Sequence, residues 1–123
     1  MAKSRILVVD DTPANIKILA DLLRKDYLLS VATSGADALE IAGSEDQPDL
    51  VLLDIMMPEM DGYQTARAIR SMPRFEHLPI ISLTAKAMKG DREKAIAAGA
   101  SDYITKPVDM DQLLSMMRVW LDA

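Results

Sequence analysis

Residues 51–62 read VLLDIMMPEMDG, an apolar run that stops abruptly at Asp54. A short continuous apolar run predicts a strand that is covered on both faces, as in a parallel sheet. A carboxylate at the end of such a strand is costly unless its surroundings compensate its charge. We therefore expect the end of this strand to open into a shared polar site.

Similar apolar runs recur along the chain and alternate with segments of helical spacing. RILVV, DLVLL and PIISL are the strong runs, and LLSVA and SDYIT are weaker ones. Helices are predicted to start at Thr12-Pro13, Ser34, Asp61 and Asp109, with another near residues 91–98. Five βα units predict an α/β fold with a doubly wound, five-stranded parallel sheet. The expected strand order is the flavodoxin-like 2-1-3-4-5, because five units are too few for a closed (β/α)₈ barrel.

The composition predicts one domain, residues 1–123, with an aliphatic core. Half of the residues are hydrophobic, and there is no cysteine, which excludes disulfides and thiolate metal sites. No stretch approaches the length of a membrane span, so we expect a cytoplasmic domain with no membrane contact. The net charge of −5 argues against direct binding to nucleic acid.

Charged or hydroxyl side chains follow four of the five predicted strands. Strand 1 ends in Asp10-Asp11, strand 3 in Asp54 and strand 4 in Thr84, and strand 5 runs into Lys106. In a 2-1-3-4-5 sheet these strands are contiguous, and ligands bind beyond their carboxyl ends. Three gathered carboxylates call for a cation, and an all-oxygen set favours Mg²⁺, with Mn²⁺ as the alternative ion. Beside a lysine and a hydroxyl, Asp54 is a candidate phosphoryl acceptor.

The motifs ILVVDD, LLDIMMPEMDG, SLTA and YITKP stand in an order that resembles the receiver domain of two-component response regulators. The resemblance covers essentially the whole chain. It implies that Asp54 is phosphorylated, and that Asp11, Asp54 and the backbone carbonyl of Met56 bind Mg²⁺. It further implies that Asp10 helps to hold the ion through water.

The resemblance also implies a catalytic and switching set. Thr84 and Lys106 would hold the phosphoryl group beside Asp54, and Lys106-Pro107 would be a cis peptide. On phosphorylation Thr84 would move toward the phosphoryl oxygen and Tyr103 would turn inward behind it. This change would remodel the surface formed by helix 4, strand 5 and helix 5.

The resemblance implies a histidine kinase or a histidine phosphotransfer protein as the phosphodonor. The segment from TAKAMKGDREK to YITKPVD, with the closing LLSMMRVWL, is similar to receiver modules of hybrid sensor histidine kinases. Helix 1 is the expected docking element, and its candidate exposed residues are Asn15, Lys17, Ile18, Asp21 and Leu22. On helix 5, Met116 and Trp120 extend the apolar face, and we expect there an exposed patch for a homodimer or a target protein.

Three other functions fit parts of the pattern. A phosphatase with Asp54 as its nucleophile would carry a second aspartate two residues later, where this chain has Met56. A flavin carrier would need a phosphate loop after strand 1, where Asp10-Asp11 would repel the phosphate. An inert pseudo-receiver scaffold would not need the complete acidic set. We therefore expect a domain that catalyses only its own phosphorylation and dephosphorylation, and that is not an enzyme in the wider sense.

Overall fold

The computed structural model of the protein describes residues 3–45, 47–55, 57, 60–84 and 90–122. Its strands are β1 (Arg5–Val9), β2 (Leu28–Ala32), β3 (Leu50–Asp54), β4 (Ile80–Thr84) and β5 (Asp102–Thr105). Its helices are α1 (Pro13–Leu23), α2 (Gly35–Ala42), α3 (Gly62–Arg70), α4 (Asp91–Ala97) and α5 (Met110–Leu121), with a short 3-10 turn at Pro73–Phe75.

The five strands form one parallel sheet in the order β2-β1-β3-β4-β5, which confirms the predicted fold class and strand order. Every residue of β3 and β4 is buried, so both faces of these strands are covered. That burial explains why their sequences are continuous apolar runs without polar alternation. Among the described residues, no helix combines the length and the apolar character needed to cross a membrane.

Three helices, α2, α3 and α5, begin at predicted capping residues whose side chains accept a backbone hydrogen bond, namely Ser34, Asp61 and Asp109. Thr12 precedes α1 as predicted, but its side chain makes no capping bond. Ser34 accepts a hydrogen bond from the backbone N–H of Asp37 at 3.1 Å, and this bond starts α2. In α3, the Asp61 side chain accepts from the Gln64 N–H while the Gln64 side chain accepts from the Asp61 N–H, both at 2.9 Å. This reciprocal pair is a capping box, and it fixes where the chain turns from the loop after β3 into α3.

The core consists of two apolar layers, one on each face of the sheet. The first layer, on the face of α2, α3 and α4, includes Val51, Leu53, Tyr63, Ile69 and Ala95. The second layer, on the face of α1 and α5, includes Leu19, Leu23, Leu52, Leu113 and Met117. Because neighbouring residues of a strand point to opposite faces, Leu52 and Leu53 of β3 belong to different layers.

Two surface predictions need correction. On α1, Lys17, Ile18 and Asp21 are exposed as predicted, but Asn15 and Leu22 are half-buried. Leu22 packs against the second layer because it lies only 60° around the helix from the buried Leu19.

The predicted exposed patch at Met116 and Trp120 is also corrected, because both side chains are half-buried against the second layer. The indole Nε1–H of Trp120 donates to Asp102 Oδ2 at 3.1 Å, which fixes the ring against the start of β5. The most exposed apolar side chain on this part of α5 is instead Val119, at 67%.

Candidate functional site

Asp54 is the last residue of β3, and only 3% of it is exposed. The next residue continues the ladder, since the Ile55 N–H donates to the Leu83 carbonyl at 3.1 Å. The loop then returns, and the Gly62 N–H donates to the Ile55 carbonyl at 3.0 Å. A Cβ atom on Gly62 would lie 2.5 Å from the backbone oxygen of Asp54. Glycine at position 62 therefore allows α3 to start directly against the end of β3.

Asp10 and Asp11 follow β1 at the same edge of the sheet. Asp10 is 2% exposed, and its backbone N–H donates to the Ala32 carbonyl at 3.1 Å. Its Oδ1 atom accepts from the Thr12 N–H at 2.9 Å, which orients the carboxylate toward the start of α1. Asp11 is exposed to solvent, so the pair presents one fixed and one accessible carboxylate.

The structure brings the three predicted carboxylates together. Asp10, Asp11 and Asp54 each have one carboxylate oxygen that lies within 4.8 Å of such an oxygen of the other two. Such a group repels itself unless positive charge is present. Carboxylate oxygens are the ligands that Mg²⁺ prefers, and the exposure of Asp11 leaves a path from solvent. The donor set and its charge therefore fit a hard divalent cation.

Lys106 supplies a positive charge to this group. Its Nζ atom lies 3.3 Å from Asp54 Oδ1 and 3.6 Å from Asp10 Oδ2. Its backbone N–H donates to the Thr84 carbonyl at 2.7 Å, so the residue is fixed to the end of β4. The Lys106-Pro107 peptide is cis, as predicted from the sequence. A phosphoryl group on Asp54 would therefore lie within reach of a cation that is already in place.

Thr84 and Tyr103 lie on neighbouring strands. Thr84 is fully buried at the end of β4, and the register pairs it with Thr105. Tyr103 is half-buried, pairs with Ser82 and packs against the first layer. Because paired residues of parallel strands point to the same face, Ser82, Thr84 and Tyr103 share the face that carries α4. Burial, followed by the acidic groups of α4, raises the pKa of the Tyr103 phenol.

Met56, predicted to offer its backbone carbonyl to the metal, lies outside the described residues. Sequence reasoning placed Asn15 on the exposed face of α1, but in the structure it lines a cleft beside the carboxylates. This cleft has a volume of about 530 Å³, and it is lined by Asp10 and Lys106 together with apolar side chains such as Ile18 and Val108. Its position in the first turn of α1, four residues after Asp11, could have predicted that Asn15 lies near the carboxylates.

Comparisons with known proteins point to one family. The family model of the response regulator receiver domain matches residues 6–118. The response regulator PleD of Caulobacter vibrioides is 43% identical over 116 residues, which are 94% of this chain and 25% of PleD. The signal transduction histidine-protein kinase BarA of Escherichia coli is 39% identical over 115 residues, which are 91% of this chain and 12% of BarA.

Among solved structures, the receiver domain of a sensor histidine kinase from Pseudomonas aeruginosa superimposes with a TM-score of 0.90. The two are 34% identical, and the match covers 99% of this chain and 100% of that one. That structure has a magnesium ion coordinated in its active-site cleft. The chain thus belongs to the family of response regulator receiver domains, and it spans a quarter or less of the length of PleD and BarA.

Proposed function

We propose that the chain is a phosphoacceptor module that receives a phosphoryl group on Asp54 in the presence of Mg²⁺. One observation carries this proposal: a buried carboxylate at a strand end lies 3.3 Å from a lysine ammonium and close to two further carboxylates. Two buried carboxylates, Asp10 and Asp54, beside a third, exposed one are costly for stability, so the cluster points to chemistry rather than to a structural role.

The reaction follows from the groups around Asp54. A carboxylate oxygen of Asp54 attacks the phosphorus of a phosphohistidine, the new O–P bond forms, and the N–P bond breaks as the imidazole leaves and takes up a proton. Asp10, Asp11 and Asp54, with the backbone carbonyl of Met56, would hold Mg²⁺, which supplies charge neutralisation to the transferred group. Lys106 and Thr84 hold the phosphoryl oxygens. The Lys106 ammonium already lies 3.3 Å from Asp54 Oδ1.

The phosphodonor in this proposal is a histidine kinase or a histidine phosphotransfer protein that docks on α1. The exposed Ile18 lines the same cleft as Asp10 and Lys106, and Lys17 is its exposed neighbour on α1. This arrangement supports docking of the donor histidine beside the acidic cluster. Phosphorylation then draws Thr84 toward the phosphoryl group and Tyr103 inward, and the α4-β5-α5 surface changes. That surface would carry the signal to a target protein or to a second copy of the chain.

Intact mass measurement after incubation with acetyl phosphate and Mg²⁺ tests the proposal. We expect the wild-type protein to gain the mass of one phosphoryl group, because Asp54 is the nucleophile and the cation neutralises the transferred charge. The gain should disappear without Mg²⁺ and in Asp54→Asn.

Asp26→Asn is the matched control, since it removes an exposed carboxylate that does not belong to the acidic cluster. This control should be phosphorylated like the wild type. A phosphoryl gain that persists in Asp54→Asn would show that another residue is the acceptor. No gain in any sample, from acetyl phosphate or from a phosphorylated histidine phosphotransfer domain, would refute the phosphoacceptor function.

A further inference from the structure

Two buried hydroxyl groups have no hydrogen-bond partner among the described residues. They belong to Tyr63, in the first turn of α3, and to Ser82, in the middle of β4. Tyr63 is 5% exposed and Ser82 is 1% exposed. A buried polar group without a partner destabilises the conformation that contains it, whereas an apolar replacement of the same shape does not. Both residues therefore disfavour the conformation described here.

Both hydroxyl residues lie on the face where the proposed switch acts. Ser82 is paired with Tyr103 across β4 and β5, and it is two residues before Thr84 on the same face of the sheet. Tyr63 belongs to the first layer, against which the ring of Tyr103 packs. A movement of Thr84 and Tyr103 would consequently change the surroundings of both hydroxyls.

Tyr63 is also in contact with α4. The Lys94 ammonium lies 4.8 Å from the centroid of the Tyr63 ring, within the range of a cation–π interaction. Burial, followed by Asp91 and Tyr103, raises the pKa of the Tyr63 phenol, which agrees with a hydroxyl close to the first turn of α4. A displacement of α4 would therefore change the contact between Lys94 and the Tyr63 ring.

We propose that Tyr63 and Ser82 are positioning residues of the phosphorylation switch, whose hydroxyls gain partners only when Thr84 and Tyr103 rearrange. The inference rests on the proposed phosphoacceptor function. The cost of two unpartnered hydroxyls in the unphosphorylated conformation narrows the free-energy gap to the phosphorylated one. The two residues act through Thr84 and Tyr103, and they need not touch the phosphoryl group.

The test compares Tyr63→Phe and Ser82→Ala with the wild type, and Tyr27→Phe serves as a matched control on the other face of the sheet. Calorimetry gives the affinity for Mg²⁺ alone and then for beryllofluoride, a phosphoryl mimic, in saturating Mg²⁺. Thermal unfolding without ligand gives the stability of the unphosphorylated conformation. Since one net hydrogen bond is lost in the switched state, we expect beryllofluoride to bind about three- to tenfold more weakly to each variant.

Mg²⁺ affinity should stay within about twofold of the wild type, and the unfolding midpoint should be unchanged or higher, because no bond is lost in the ligand-free state. Tyr27→Phe should leave beryllofluoride binding unchanged. A lower midpoint would mean that the hydroxyl already has a partner, such as a buried water, and would overturn the inference for that residue. Unchanged beryllofluoride affinity would overturn it as well. Failure of the wild type itself to bind beryllofluoride would instead refute the phosphoacceptor function.

Discussion

Lys106 places its ammonium beside two carboxylates of the proposed metal site. Its ammonium lies 3.3 Å from Asp54 and 3.6 Å from Asp10, two carboxylates that are almost completely buried. The lysine side chain keeps 27% exposure, so water screens part of this attraction. In the structure as described, the lysine therefore compensates the carboxylates that would otherwise repel each other.

Replacing Lys106 by methionine should separate this compensation from metal binding. We expect Lys106→Met to lower the free energy of unfolding by about 1–2 kcal/mol without Mg²⁺, because two buried carboxylates lose their cation. Mg²⁺ should bind several-fold more tightly, since no ammonium competes with it. Urea unfolding with and without Mg²⁺, together with calorimetry, measures both effects.

Lys17→Met is the control for that substitution, because Lys17 is exposed on α1. It removes the same charge from the chain as a whole but leaves the acidic cluster intact. Weaker Mg²⁺ binding in Lys106→Met would contradict the proposed competition and would indicate that the lysine holds the carboxylates in a metal-binding arrangement.

At the scale of secondary structure elements, α3 starts in direct backbone contact with the end of β3. Gly62 is the first residue of α3, and an added Cβ would lie 2.5 Å from the Asp54 carbonyl oxygen and 2.6 Å from Ile55 Cα. Both are backbone atoms, which cannot rotate away as a flexible side chain can. The helix or the strand end would have to move.

Gly62→Ala should therefore lower the free energy of unfolding by about 1–3 kcal/mol, as overpacking does, and weaken Mg²⁺ binding. The matched control is Gly43→Ala at the end of α2, where an added Cβ would meet its nearest atom at an ordinary 3.5 Å. Chemical denaturation and Mg²⁺ titration of both variants test the expectation. Equal effects in the two would show that the position of α3 does not determine the geometry of the acidic cluster.

At the scale of the whole molecule, Arg70 connects segments far from the acidic cluster. Its guanidinium donates to the carbonyls of Phe75 and Glu76, at 2.8 Å and 3.1 Å, and to that of Gly99, at 2.6 Å from Nη2. Gly99 has a φ of +112°, which favours glycine where the chain leaves α4. Burial lowers the pKa of the Arg70 guanidinium.

Arg70→Ala should cost about 2–4 kcal/mol of stability, because it leaves three carbonyls without their charged donor. Arg67→Ala, an exposed neighbour on the same helix, should change stability by less than about 0.5 kcal/mol. At a temperature where both variants are folded, each should still gain one phosphoryl group from acetyl phosphate. Thermal unfolding measures the stability of each variant, and intact mass measures its phosphorylation. Loss of phosphorylation in folded Arg70→Ala would contradict the expectation that Arg70 contributes to stability and not to the reaction at Asp54.

The sequence predicted those features that depend on local pattern. The continuous apolar runs identified β3 and β4, and Asp61 and Ser34 identified helix starts, because caps and strand burial act over a few residues. The location of the site could also be predicted, because the carboxyl ends of parallel strands lie at the same edge of the sheet. The sequence therefore placed Asp10 and Asp54 close together. Other features depend on residues that are distant in the sequence, so neither hydrophobic periodicity nor a capping motif predicts them. They are the hydrogen bond from Trp120 to Asp102, the contacts of Arg70 and the unpartnered hydroxyls of Tyr63 and Ser82.

The division of the core into two layers has an evolutionary consequence. Leu52 packs with α1 and α5, whereas Leu53, its neighbour in the chain, packs with α2, α3 and α4. A change of side-chain volume in one layer can be compensated only by neighbours in that layer, since the sheet backbone lies between them. The surface of α1 and the surface of α4 can consequently diverge separately. Under the proposed function, a lineage could then acquire a new phosphodonor protein without altering the protein that α4 contacts.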